Sequence, residues 1–155
     1  MGASGWDYVT RFDGSVERAL ENLHTRVFQQ DYGDDDTYET LEDLYTDEEL
    51  MEEGTHSILD IERVVHIPDT PSPYNKVEET GILRPLAPDR IVRHFGTERP
   101  TPEQFQTLIT EANDNASGRA ETLLHENQAR WTGLYVVLYT GDEPTHLGVF
   151  GCSGD

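Results

Sequence analysis

Apolar positions recur along this chain with two periods, one helical and one of strand type. From Val16 they fall at Val16, Leu20, Leu23, Val27 and Phe28. Those steps of four, three, four and one trace one face of a helix running to about Gln30. Asp13-Gly14 ahead of it signals a turn, and Ser15 is placed to cap the helix. Residues 6–12, rich in aromatic and β-branched types, predict a first strand. Tyr38, Leu41, Leu44 and Tyr45 suggest one or two amphipathic turns. Thr46 to Glu49 is a capping-box pattern, opening a short helix that Gly54 ends. Residues 57–67, dense in Ile and Val, predict a central strand.

The second half is more strongly punctuated. Residues 68–73 hold three prolines and must be irregular. Residues 80–85 predict a short strand or turn. Pro88 at the first helical position, with Asp89 beside it, opens a short helix that Gly96 closes. Thr101-Pro102-Glu103-Gln104 is the best helix start in the chain, with Phe105, Leu108, Ile109 and Ala112 as its apolar face. Residues 113–118 break it, and 119–128 predict a further short helix. Residues 131–139 and 146–150 are β-rich runs joined by Thr140-Gly-Asp-Glu-Pro144, a hairpin.

Runs of helix and strand without βαβ alternation argue for an α+β fold. The expected architecture is a single domain over residues 1–155: an antiparallel sheet with a C-terminal β-hairpin, packed against two or three amphipathic helices. At 155 residues the chain suits one domain and needs no disulfide to supplement its core. Cys152, the only cysteine, excludes an internal disulfide framework and any Cys-rich zinc site. The first residues show no basic-then-apolar leader, and Trp6 stands where a myristoylation signal needs Ser or Thr. The longest apolar run, Leu134 to Tyr139, is far short of a membrane span. A soluble cytoplasmic protein is expected.

Charge narrows the partners. The formal net charge is −20, from 31 acidic against 11 basic side chains, and Lys76 is the sole lysine. Such a charge repels nucleic-acid phosphates and anionic lipid, leaving basic proteins, metal ions or no specific partner at all. Residues 31–62 hold fourteen of the carboxylates and neither Lys nor Arg. A docking surface, a halophile's solvated exterior and plain solubility all fit that composition.

Two constellations offer chemistry. In Gly54-Thr-His-Ser-Ile-Leu-Asp60, strand alternation puts His56, Ile58 and Asp60 on one face. His56 and Asp60 then stand roughly 13 Å apart at ~3.3 Å per residue, too far for a Ser–His–Asp relay. His56 as a general base, with Asp60, Glu62 or Trp131 nearby, is the enzymatic or ligand-binding alternative; an ordinary polar turn is the simpler account. The other constellation is acidic: Asp31, Asp34, Asp35, Asp36 and Glu39. Oxygen ligands at this density suit a divalent cation, with Asp31, Asp34 and Asp36 as ligands, but the glycine of an EF-hand is missing after Tyr38. No cofactor is otherwise expected. As a docking surface, the same run has Asp34, Asp35, Asp36, Glu48 and Glu49 as contacts for a basic protein, in the manner of an immunity or inhibitor protein. The remaining histidines lack metal-ligand spacing, no phosphate loop or nucleophile elbow is present, and the aromatics fit core packing.

Several segments, MGASGWDYVT, GTHSILDI, HFGTERPT, RWTGLYVVLY and GCSGD, together resemble a group of small uncharacterised actinobacterial proteins. The resemblance spans most of the chain and implies no activity, ligand or catalytic residue. The leading expectation is therefore a non-enzymatic acidic interaction or regulatory protein that uses residues 31–53.

Overall fold

The helix expected from Val16 forms over Val16–Tyr32 (α1), and its cause is visible at both levels. Ser15, in extended backbone, accepts a hydrogen bond from the Arg18 amide at 3.2 Å, satisfying one N–H that the helix cannot. Val16, Ala19, Leu20, Leu23, Val27 and Phe28 form a buried stripe. That stripe packs on a five-stranded sheet in a computed structural model that describes residues 4–33, 38–49, 57–66, 81–114, 122–126 and 131–153.

The strands are Ser4–Arg11 (β1), Arg63–Val64 (β2), Ile82–Pro85 (β3), Thr132–Thr140 (β4) and Glu143–Ser153 (β5), in the order β1-β5-β4-β3-β2. The helices besides α1 are Leu41–Tyr45 (α2), Pro88–Phe95 (α3) and Pro102–Asp114 (α4), with 3-10 turns at Ile58–Asp60 and Leu123–Glu126. The molecule is a single α+β domain with a C-terminal hairpin. Its sheet is mixed rather than wholly antiparallel: β1–β5 and β5–β4 are antiparallel, while β4–β3 and β3–β2 are parallel. The parallel β3–β4 pair exists because α3 and α4 lie between those strands in sequence. A parallel pair needs such a crossover of a dozen residues or more.

Helices cover both faces, so β4 is buried from Thr132 to Val136 without a break. Alternation then sorts its side chains. Tyr135 and Val137 meet α1, and Leu134, Val136 and Leu138 meet the α3–α4 side. Glycines key each layer to the sheet. A Cβ at Gly133 or Gly151 would lie 2.5 or 2.7 Å from Cη2 of Trp6, whose ring occupies the space of both missing side chains. On the other face a Cβ at Gly148 would lie 2.8 Å from the Phe105 ring of α4.

The second-half helices follow their sequence signals. Pro88 opens α3, and Gly96 closes it in the left-handed conformation at φ 73°, donating its N–H to the Val92 carbonyl. Thr101 and Gln104 bond reciprocally at the start of α4, at 3.1 and 2.9 Å. The hairpin turn is tighter than expected: Gly141-Asp142 alone connect the strands, and Glu143 and Pro144 belong to β5. Pro144 is tolerated because the register shifts between Leu138 and Tyr139, whose N–H donates instead to the Pro100 carbonyl at 2.8 Å.

The expected central strand over 57–67 does not form. Ser57 Oγ accepts from the Leu59 amide at 3.2 Å and starts the 3-10 turn, leaving only Arg63–Val64 as an edge strand. Ile58, Leu59 and Ile61 are wholly buried in the α1-side core. Their apolar density therefore reports burial, which a short run cannot distinguish from strand. Of the short helix expected over 119–128, the described part is the Leu123–Glu126 turn.

Candidate functional site

The acidic segment is built on a docked element. Thr40 and Asp43 cap α2 reciprocally, each side chain accepting from the other's amide at 3.2 Å. Leu44 is fully buried against α1, and the Tyr45 hydroxyl donates to the Leu59 carbonyl at 2.9 Å. Burial first, and then the charges of Glu62 and Asp60, push Tyr45 up to about 12, so it remains a neutral donor. Tyr38 donates to Asp47 and packs edge-on against Tyr32 at 5.8 Å, which stacks on Phe28 at 6.0 Å. This chain of aromatics ties the segment to α1. Glu39, Glu42, Glu48 and Glu49 are exposed on it, and no ion pair holds any of them among the described residues.

Of the residues singled out from sequence, Asp34, Asp35, Asp36 and His56 lie outside the described residues. Asp31 stands in the last turn of α1. Asp60 ends the Ile58–Asp60 turn, so the strand alternation that set it on one face with His56 does not hold. Asp60, Glu62 and Trp131 do converge, around Gly81. The Gly81 amide donates to the Trp131 carbonyl at 2.6 Å, and its carbonyl accepts from Glu62 at 2.8 Å and Arg63 at 3.0 Å. Gly81 adopts φ 72°, and a Cβ there would meet the Asp60 carbonyl at 3.6 Å. Main-chain groups make this junction. No group of three or more potential metal-ligating side chains occurs among the described residues.

Spacing gave no hint of the polar cluster between α3 and the second 3-10 turn. One oxygen of Glu126 accepts from Arg90, through Nε at 2.7 Å and through Nη2, and from His94 Nε2 at 2.8 Å. The partners lie 36 and 32 residues away in sequence. Side chains of Glu126 and His94 are only 14% and 8% exposed. Burial alone would raise the Glu126 carboxyl; the bonds from Arg90 and His94 outweigh it and hold the pKa below the ordinary value. Beside His94, a cleft of about 270 Å³ runs between α3 and α4, walled by Phe95, Glu103, Thr107, Leu108 and Glu111.

A second cleft, about 330 Å³, opens where β1 and β5 pair at the end of the sheet. Asp7, Asn113, Phe150 and Cys152 line it with the Gly5, Trp6 and Gly151 backbone region. Asp7 is half-buried, and burial raises its carboxyl pKa. Among the described residues, two buried polar atoms, Trp6 Nε1 and Arg84 Nε, have no hydrogen-bond partner.

Across the described residues no helix is long and apolar enough to cross a membrane. No protein-family model, curated protein or solved structure matches the chain.

Proposed function

We propose that the protein is a non-enzymatic interaction module whose α1–α2 layer docks a basic protein partner, with Glu48 and Glu49 among the contacts. The supporting observation is the anchoring of α2. Leu44, Tyr45 and the capping box fix α2, which carries Glu42 and is flanked by Glu39 before it and Glu48 and Glu49 after it, none of the four in an ion pair among the described residues. A carboxylate surface needed only for solubility gains nothing from a buried tyrosine anchor. A fixed array reduces the ordering entropy of binding and presents its field in one direction. Asp34, Asp35 and Asp36 extend the acidic surface in sequence.

Affinity purification from native lysate at two salt concentrations tests this. Basic proteins retained at low salt are expected to be lost at high salt, and lost at both from a Glu39→Gln/Glu42→Gln/Glu48→Gln/Glu49→Gln variant. An unchanged set of retained proteins from that variant ends the proposal.

A further inference from the structure

We propose that the cleft at the β1–β5 end of the sheet binds a small organic cation carrying a guanidinium or amidinium group, with Asp7 as its counter-ion and Asn113 as a second acceptor. The site begins with a missing side chain. On this face Gly5, Cys152 and Thr132 form one cross-strand row, and Asp7, Phe150 and Leu134 form the next. Gly5 leaves the outer end of its row empty, and Asp7 borders the space. Its carboxylate has no hydrogen bond or ion pair among the described residues. Asn113 brings the last turn of α4 to the rim. That end carries the negative pole of the helix, and no basic residue stands in the turn.

One carboxylate, a side-chain amide and a helix C-terminus favour a monovalent cation that donates several hydrogen bonds. Calcium takes six to eight oxygens, more than these side chains supply, and magnesium is held chiefly where substrate phosphates complete its shell. A guanidinium matches a carboxylate with two parallel N–H donors and has further donors for Asn113. The volume, about 330 Å³, falls within the range of small-ligand clefts, about 300–1,000 Å³. A half-buried carboxylate with no partner among the described residues loses part of its hydration, and a bound cation offsets that loss.

Titration calorimetry with butylguanidinium tests the site, with butylurea as the neutral isostere. Saturable one-to-one binding of butylguanidinium, and none of butylurea, is expected. Asp7→Asn should weaken binding roughly tenfold to a hundredfold, the range for a charge-assisted hydrogen bond. The same variant should melt no lower than the parent at neutral pH, so lost binding is not lost folding. N-acetyl-arginine amide, run in parallel, separates two sources of the same chemistry. Tighter binding of the capped arginine supports the site and indicates a partner's side chain; tighter binding of butylguanidinium supports it and indicates a free metabolite. Non-saturable association of equal strength in parent and Asp7→Asn would overturn the proposal. So would binding lost only on Glu103→Gln/Glu111→Gln, which would place the cation in the α3–α4 cleft.

Discussion

The two helical layers handle charge in opposite ways. In the α1–α2 layer, the described residues from Asp13 to His66 carry twelve carboxylates and three arginines. Arg18 is engaged by Asp13, and Arg26 donates to the Val9 carbonyl. Glutamates remain in water over an apolar interior. On the α3–α4 side, the described residues from Gly81 to Glu126 carry six carboxylates and four arginines, and one of the carboxylates, Glu126, is drawn inside as a strut between two segments. Carboxylates can thus serve as outward field or as inward tie. The chain uses each on a different side of one sheet.

The first way to probe the contrast is at the glycines that key each layer. At Gly151 an added Cβ meets the Thr132 carbonyl at 2.4 Å, a backbone atom of the paired strand that cannot yield. At Gly148 the obstacle is the Phe105 ring at 2.8 Å, which can shift. Gly151→Ala should lose about 3 kcal/mol in urea unfolding and Gly148→Ala about 1–2 kcal/mol. Equal losses would mean that both layers yield alike.

Next comes the strut. Glu126→Ala leaves Arg90 and His94 without their shared acceptor, and a loss of about 2 kcal/mol is expected, below the full value for a buried pair because Arg90 is 31% exposed. Glu42→Ala, at an exposed carboxylate of the other layer, should stay within about 0.5 kcal/mol.

Acid should separate the layers in two pH windows. His24, half-buried on α1 with Nε2 at 3.1 Å from the Ile58 carbonyl, has its pKa lowered from 6.5, by burial first, against opposing hydrogen bonds to the Ile58 and Ile61 backbone and the Glu21 charge. The unfolded chain therefore takes up this proton first, so stability falls as pH drops from about 6.5 towards the folded value. Glu126 acts lower. Its stabilisation is complete above the unfolded value of 4.5 and is lost as pH falls through its lowered folded value. Urea midpoints from pH 7 to 3 for the parent, His24→Gln and Glu126→Gln should show each replacement flattening its own window. A His24→Gln curve parallel to the parent between pH 7 and 5 would contradict the first assignment.

Legibility from sequence followed the range of the forces involved. The caps of α1, α3 and α4 were readable because Ser15, Pro88, Gly96 and Thr101 act within one turn of where they stand. The hairpin was readable from its alternation and its glycine turn. The 57–67 strand failed because burial under α1, not pairing, explains Ile58, Leu59 and Ile61. The parallel β3–β4 pair was not legible because two helices, α3 and α4, share one crossover, which hides the simple βαβ alternation. The acidic segment was visible as composition, but its buried anchor at Tyr45 was not, since Leu59 lies 14 residues on. Glu126 with Arg90 and His94, and Asp7 with Asn113, are assembled by the fold across long separations, and no local pattern marks them.

The central claim is that one face, not total charge, binds the partner. The most direct measurement is the Kd for the basic protein recovered in the purification, against ionic strength, for the parent and two charge-matched variants. One variant neutralises Glu39, Glu42, Glu48 and Glu49; the other neutralises Glu98, Glu103, Glu111 and Asp114. Loss of affinity and of salt dependence only in the first is predicted, because exposed charges act over a screening length of about 8–10 Å. Equal weakening by both would contradict it and leave the acidity as a property of the whole surface.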